Sequence, residues 1–398
     1  MKVSFWVQSP LSDRDWKRFG FDVLLRRGFE VECFDFTPIL NPKFWSKYGY
    51  FQVQRPEVKT MYDHKEFGEV MDQWKSGIVV DMLYPGEGSP LANRLRQEAR
   101  KGVGVIVSVE GLNALPASLH TSGRFSKLWH ILKNGDWPRL IRAAMRSFGR
   151  TRPIPPLPSR PPVDLRVYSG EAASRCAAAK HLVGAETLWA HSWDFDLYLE
   201  HKNGRSDRGD YIVFLDSDMV GHSDYKYADV LSYVSEDRYY SAMNQLFFKM
   251  ENELKMQVVI AVHPRADLEK LKKGFSGFEA IQGQTPQLVR DASIVVSHSS
   301  TGDSFAVLWD KPLLLVTTDQ LETTDWFDVM QASCKILNTG RINVDRLPKK
   351  ISWKTMSDRP KNKYAYYRNQ LIKRDGTPKK NSWDIFADWV EQRPRALA

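Results

Sequence analysis

Two apolar runs that stop abruptly at polar clusters constrain this chain more than any other feature. Val258 to Val262 reads VVIAV and breaks off into His263-Pro264-Arg265. Ile294 to Val296 breaks off into Ser297-His298-Ser299-Ser300-Thr301-Gly302. Short apolar runs separated by helical spacing are strands buried on both faces, the kind that forms a parallel sheet covered by helices. In such open sheets, ligands bind outside the carboxyl ends of the strands. Each cluster also precedes a helical pattern, whose first amides lack internal partners and favour an anion. His263, Arg265, Ser299, Ser300 and Thr301 around one crevice have the chemistry of a phosphate site.

The same alternation runs through the chain. Strands are expected at Lys2 to Val7, Val31 to Phe36, Ile78 to Asp81, Val103 to Val109, Asp164 to Tyr168 and Thr187 to His191. A second series follows at Tyr211 to Leu215, Val258 to Val262, Phe278 to Ile281, Ile294 to Val296, Pro312 to Val316 and Lys335 to Leu337. Helical spacing covers Asp13 to Arg27, Leu91 to Lys101, Tyr240 to Lys255, Asp267 to Lys273 and Gly302 to Leu308, while Asn41 to Pro56 reads as an aromatic loop. A length of 398 residues suits two domains. The polar stretch Asn203 to Asp210 separates them. The expected organisation is a Rossmann-like domain at 1–205, a second at 206–345 and a helical tail at 346–398 that packs back on the first domain. No GxGxxG follows the first strand, which argues against a dinucleotide site of the usual kind.

The formal net charge of +9 favours anionic partners. Cys33, Cys176 and Cys334 show neither metal spacing nor a disulfide framework. No run approaches the roughly 20 apolar residues of a membrane span, so the expectation is a cytoplasmic protein, soluble or peripheral at the inner face of the cytoplasmic membrane. Arg124 to Arg152 supports that attachment. It interleaves basic residues with Phe125, Trp129, Trp137, Leu140 and Phe148 against one acid, Asp136. Such a segment reads either as a basic amphipathic membrane-surface element or as a packed helix pair with a solvated basic face. No nucleic-acid fold signature accompanies it. Pro153 to Pro162 makes a stiff connector.

Several acids end strands. Glu110-Gly111 follows the strand at 103–109, and Glu110 is a candidate general base; Glu87-Gly88 is a second candidate. Asp194 and Asp196 share a side if their run is extended, where they assist an acceptor hydroxyl or cap the next segment, Leu197 to His201. Tyr211 to Leu215 ends in Asp216-Ser217-Asp218, which looks like the metal-holding DxD motif of GT-A glycosyltransferases. Asp216 and His222 otherwise read as donor or acceptor contacts. Gln282-Gly283-Gln284 is placed to meet a base or ribose.

The pair His263-Pro264 and Ser299-Ser300 resembles the HP and SS motifs of bacterial sialyltransferases and polysialyltransferases, and residues 210 to 318 resemble proteins of surface-polysaccharide clusters. The resemblance implies a GT-B fold, two Rossmann-like domains facing a cleft. It further implies an inverting, metal-independent transfer from a CMP-activated nonulosonate or Kdo-like sugar. His263 and Ser299 or Ser300 would hold the donor phosphate, with an acid of the first domain, here Glu110, as base. No cofactor is implied beyond the nucleotide-sugar substrate; the partners implied are that donor and a saccharide or lipid-linked acceptor, with an anionic membrane at 124–152. The alternatives are a UDP-sugar or CDP-polyol transferase, a metal-dependent GT-A enzyme using Asp216 and Asp218, and a non-catalytic nucleotide-binding scaffold.

Overall fold

Alternate residues of the first strand enter different cores. Val3, Phe5 and Val7 pack on one side, and Trp6 packs on the other against Phe36 and Phe67. This two-sided burial is what an apolar strand without polar alternation requires, and it recurs at Tyr211–Leu215, buried throughout. The computed structural model describes residues 1–72, 77–83, 90–102, 104–110, 160–178, 182–204, 208–222, 232–351 and 360–393. Within these, the first sheet comprises β1 (Lys2–Val7), β2 (Glu30–Asp35), β3 (Val58–Thr60), β4 (Ile78–Asp81), β5 (Val105–Glu110), β6 (Leu165–Tyr168) and β7 (Glu186–Trp189). The second comprises β8 (Tyr211–Leu215), β9 (Gln257–Val262), β10 (Glu279–Gln282), β11 (Ile294–Ser297), β12 (Leu313–Thr317) and β13 (Arg341–Asn343).

All pairings are parallel, in the orders β3-β2-β1-β4-β5-β6-β7 and β10-β9-β8-β11-β12-β13. Both orders reverse direction beside their first strand, which creates a crevice between β1 and β4 and another between β8 and β11. The fold is GT-B-like, as expected.

Several elements differ from the sequence reading. The helix expected over Asp13 to Arg27 is two, Asp13–Arg18 and Phe21–Arg26, broken at Gly20 with φ 67°. A side chain there would collide with Trp383, whose ring lies 2.1 Å from the position of a Cβ. Asn41 to Pro56 contains a helix, Pro42–Tyr48, that starts on Pro42. The strand expected at Lys335 to Leu337 is the last turn of the helix Asp325–Leu337, closed by Asn338 in the left-handed conformation, and the strand comes later as β13. β3, only three residues long, gave no signal.

The chain crosses between domains twice. The helix Trp193–His201 lies before the expected boundary, yet Phe195 joins the second domain's core. In the tail, Tyr364, Tyr367, Leu371 and Ile372 also enter that core, whereas Trp383, Phe386, Trp389 and Val390 complete the core of the first sheet. The two crossings are laced together: Ser192 N–H donates to Ile372 O at 2.7 Å, His191 Nε2 sits 2.6 Å from Lys380 O, and Asp196 accepts from the Ser382 amide at 2.9 Å. The helix Ser382–Glu391 also meets Arg27, which bonds Asp384, Asp388 and Glu391 at 2.7 to 3.2 Å. Partly exposed pairs of this kind contribute about 0–1 kcal/mol each. Full burial of one side chain the size of Phe386 contributes roughly 1.5–3 kcal/mol, so apolar docking outweighs the ion pairs.

Gly20→Ala tests this packing. A β-carbon must be forced both into a left-handed backbone and into the Trp383 ring, and each costs about 1–3 kcal/mol. The expected outcome is a clearly lower urea midpoint. An unchanged midpoint would mean that Trp383 does not seat there.

Candidate functional site at the cleft between the sheets

Register places the two polar clusters. Leu215 of β8 pairs with Ala261 of β9 on one side and with Ser297 of β11 on the other. His263 and Ser299 therefore each stand two residues beyond the level of Leu215, flanking Asp216 and Ser217 at the crevice, about 10 Å apart across β8.

Asp216 does not stand ready as a metal ligand. It is 6% exposed, its Oδ1 accepts from Asp218 N at 2.9 Å, and its Oδ2 accepts from His263 N at 3.2 Å. It ties the end of β8 to the turn after β9. Burial pushes its pKa up to about 7 against the pull of those amides, and the nearby Asp218 adds to the rise. Asp218, in the left-handed conformation, accepts from Gly221 N through Oδ1. Among the described residues no group of three or more His, Cys, Asp or Glu side chains is placed to hold a metal ion.

The turn holding His263 is clamped from below. Gln282 Nε2 donates to His263 O at 3.0 Å and Ala266 O at 3.1 Å, so Gln282 shapes the turn, while Gly283 and Gln284 are exposed beside it. His263 Nδ1 accepts from Arg265 N at 3.3 Å, which leaves the hydrogen of the neutral ring on Nε2. Burial, with His222, Arg14 and Arg265 nearby, lowers its pKa to about 3. The His222 ring lies 5.0 Å away, centre to centre. His263 is thus a neutral N–H donor.

The loop after β11 is held by its own hydroxyls. Ser297 Oγ accepts from the amides of Ser299 and Ser300 at 3.0 and 3.2 Å and donates to Asp303, whose buried carboxyl is raised to about 7 by desolvation. Ser299 has no exposure, a φ of 70°, and its Oγ bonds Ser333 Oγ at 2.6 Å. Its side chain therefore maintains the loop and is turned from the crevice. His298 is buried too, fixed between Val316 O and the Tyr239 hydroxyl, and burial lowers its pKa to about 4. Ser300 and Thr301 are only partly buried. Ser300 Oγ accepts from Gly302 N at 3.1 Å and keeps its proton to give.

Asp194 and Asp196 are in the first turn of the helix Trp193–His201 rather than on an extended run. Asp194 accepts from Ser304 and so seats its helix on the second domain, and Asp196 accepts from Ser382 of the returning tail and so ties that helix to the first. Glu110 ends β5, at the carboxyl edge of the first sheet; its side chain lies outside the described residues, as do Glu87, Gly88, Gly111 and the basic segment 124–152.

Sequence reasoning missed the first domain's wall of the cleft. A cavity of about 260 Å³ is lined by Pro10, Ser12, Asp13, Arg14, Phe44, Tyr48 and Phe51 from that domain and by Pro264 and Arg265 from the second. Arg265 reaches Asp15 across the cleft at 3.7 Å. The available signal was Ser9-Pro10, the turn at the carboxyl end of the first strand. Ser217 was missed as well: its Oγ is buried at the crevice without a partner among the described residues.

No protein-family model and no curated protein matches the chain. Solved structures do resemble it. A candidate UDP-N-acetylglucosamine 2-epimerase from Listeria monocytogenes aligns over 99% of this chain and 97% of its own, at 11% identity and a TM-score of 0.51. The wall teichoic acid polymerase TagF aligns over 98% and 88%, at 10% identity and a TM-score of 0.49. The calicheamicin glycosyltransferase CalG4 aligns over 98% and 97%, at 13% identity and a TM-score of 0.49. At 11% identity the likeness to the epimerase is one of fold.

The state of His263 can be read by NMR of a histidine-labelled sample. An unperturbed imidazole titrates near 6.5, whereas this ring stays neutral until about pH 3. Its resonance is expected to hold still from pH 8 to 5 in the free protein. The sign for stability follows: the unfolded ring takes up a proton that the folded ring refuses, so the folded state loses stability as pH falls below 6.5. Titration near 6.5 would contradict the half-buried neutral donor.

Proposed function

We propose that the protein is an inverting, metal-independent glycosyltransferase of bacterial surface-polysaccharide synthesis, taking a CMP-activated nonulosonate or Kdo-like donor. The observation that carries this reading is that a neutral His263 Nε2 donor and the Ser300–Thr301 loop follow the carboxyl ends of the two strands on either side of β8. A departing nucleotide gathers negative charge on its phosphate, and fixed donors aimed at that charge lower the barrier. In this reading His263, Arg265, Ser300 and Thr301 hold the phosphate, Ser217 adds a hydroxyl, and Ser299, Asp216 and Gln282 keep the two loops in place. His222, Gly283 and Gln284 border the nucleotide. Glu110 takes the proton of the acceptor hydroxyl. The acceptor is a saccharide, free or lipid-linked, and the segment 124–152 brings the enzyme to an anionic membrane surface at the cytoplasmic face. No cofactor takes part.

Titration with CMP, CDP, UDP and GDP, each in EDTA and in Mn²⁺, tests the reading. CMP binding unaffected by EDTA is expected. Removing a hydrogen bond to a charged group costs about 1.5–3 kcal/mol, so His263→Ala weakens CMP binding by roughly tenfold or more. UDP binding that requires Mn²⁺ would instead make Asp216 and Asp218 metal ligands and overturn the assignment. Glu110→Gln should leave nucleotide affinity unchanged while slowing transfer by on the order of 10²-fold or more; a normal rate would move the base elsewhere.

A further inference from the structure

The cavity on the first domain's side of the cleft has features that phosphate binding does not use. One wall is aromatic. Phe44 and Tyr48 have ring centres 4.6 Å apart, and Tyr48 and Phe51 are 6.2 Å apart and within 19° of parallel. Tyr48 faces the second domain, since the charges of Asp218 and Arg265 both act on it. Ser12, Asp13 and Arg14 give the cavity a polar lining as well, and the acids of that segment are engaged: Asp13 lies 3.5 Å from Arg55, and the buried Asp15 next to the lining accepts from Ser12 Oγ at 2.7 Å and meets Arg265 at 3.7 Å. Arg14 is the exception. It lines the cavity, is exposed, and makes no hydrogen bond or ion pair with a described residue. Its charge still acts on His263, Arg18 and Asp194, so it lies near all three.

An aromatic platform and an uncommitted guanidinium in one cavity select a flat apolar face joined to an anion. A pyranose ring has such a face in its axial C–H bonds, and a guanidinium fork matches carboxylate and phosphate oxygens. At about 260 Å³ the cavity falls below the roughly 300–1,000 Å³ of pockets for larger ligands. It has room for a single sugar residue. We infer that the cavity lined by Tyr48, Phe51 and Arg14 binds one sugar residue carrying an acidic group, with the ring on the aromatic wall and the anion on Arg14. The inference rests on the reading above for the place of the reacting bond, beside Pro264 and Arg265. The acidic residue is either the donor's own sugar or the terminal sugar of the acceptor.

Saturation-transfer NMR on the full chain tests it with glucuronate, N-acetylneuraminate, glucose 6-phosphate and, as the neutral control, glucose. The acidic sugars are expected to bind at least tenfold more tightly than glucose. Arg14→Gln, a change at an exposed position, is expected to abolish that difference and to weaken CMP binding far less than it weakens binding of the acidic sugars. Equal binding of acidic and neutral sugars, no transfer to any sugar, or an Arg14→Gln chain that still prefers the acids overturns the inference. Failure of the phosphate reading is distinguishable, because it removes CMP binding and leaves the sugar preference. Calorimetry with CMP and CMP-N-acetylneuraminate separates the two sources. Tighter binding of the CMP-sugar that Arg14→Gln cancels assigns the cavity to the donor sugar. Equal affinities, with glucuronate still binding to the CMP-sugar complex, assign it to the acceptor.

Discussion

The Asp216 carboxylate takes one amide from its own loop, Asp218, and one from the neighbouring strand's exit, His263. Burying a carboxylate costs far more than either bond returns alone, which is why its pKa rises towards neutrality. The arrangement survives because the strands beneath it are already in register and present both amides at fixed positions. In return, the turn carrying His263 has one conformation. That conformation puts the Arg265 amide on Nδ1 and thereby decides which nitrogen of His263 carries the hydrogen. The donor chemistry of the crevice thus depends on a carboxylate that points into the protein.

How much of this was legible varies with the range of the interactions responsible. The strands at Lys2, Ile78 and Tyr211 were found to the residue, because burial on both faces leaves an unbroken apolar run. Both polar clusters followed directly, since they end such runs. The break at Gly20 was not legible, because the ring that packs against it, Trp383, lies at the far end of the chain. The short β3 and the displaced β13 are edge strands with too few buried residues to mark themselves.

Roles within the clusters were less legible than their location. Ser299 and Ser300 are the same residue type in adjacent positions, and only the left-handed backbone at Ser299, with Ser333 waiting for its hydroxyl, separates scaffold from candidate contact. Likewise Asp216 reads like a metal-binding acid until its two amide partners are known. Arg14 was passed over for the opposite reason. One arginine on a predicted helix carries no signal, and its interest comes from the acids around it being already paired.

The double crossing of the chain bears on the order in which the molecule is completed. Trp383 fills the notch at Gly20 and donates to Arg18 O, a contact spanning 365 residues. During synthesis the first sheet emerges early but lacks Trp383, Phe386 and Trp389, which close its core. The second sheet, by contrast, has nearly all its strands and helices before those residues leave the ribosome. The domain translated first is therefore finished last, and until then its open apolar face needs protection from other chains.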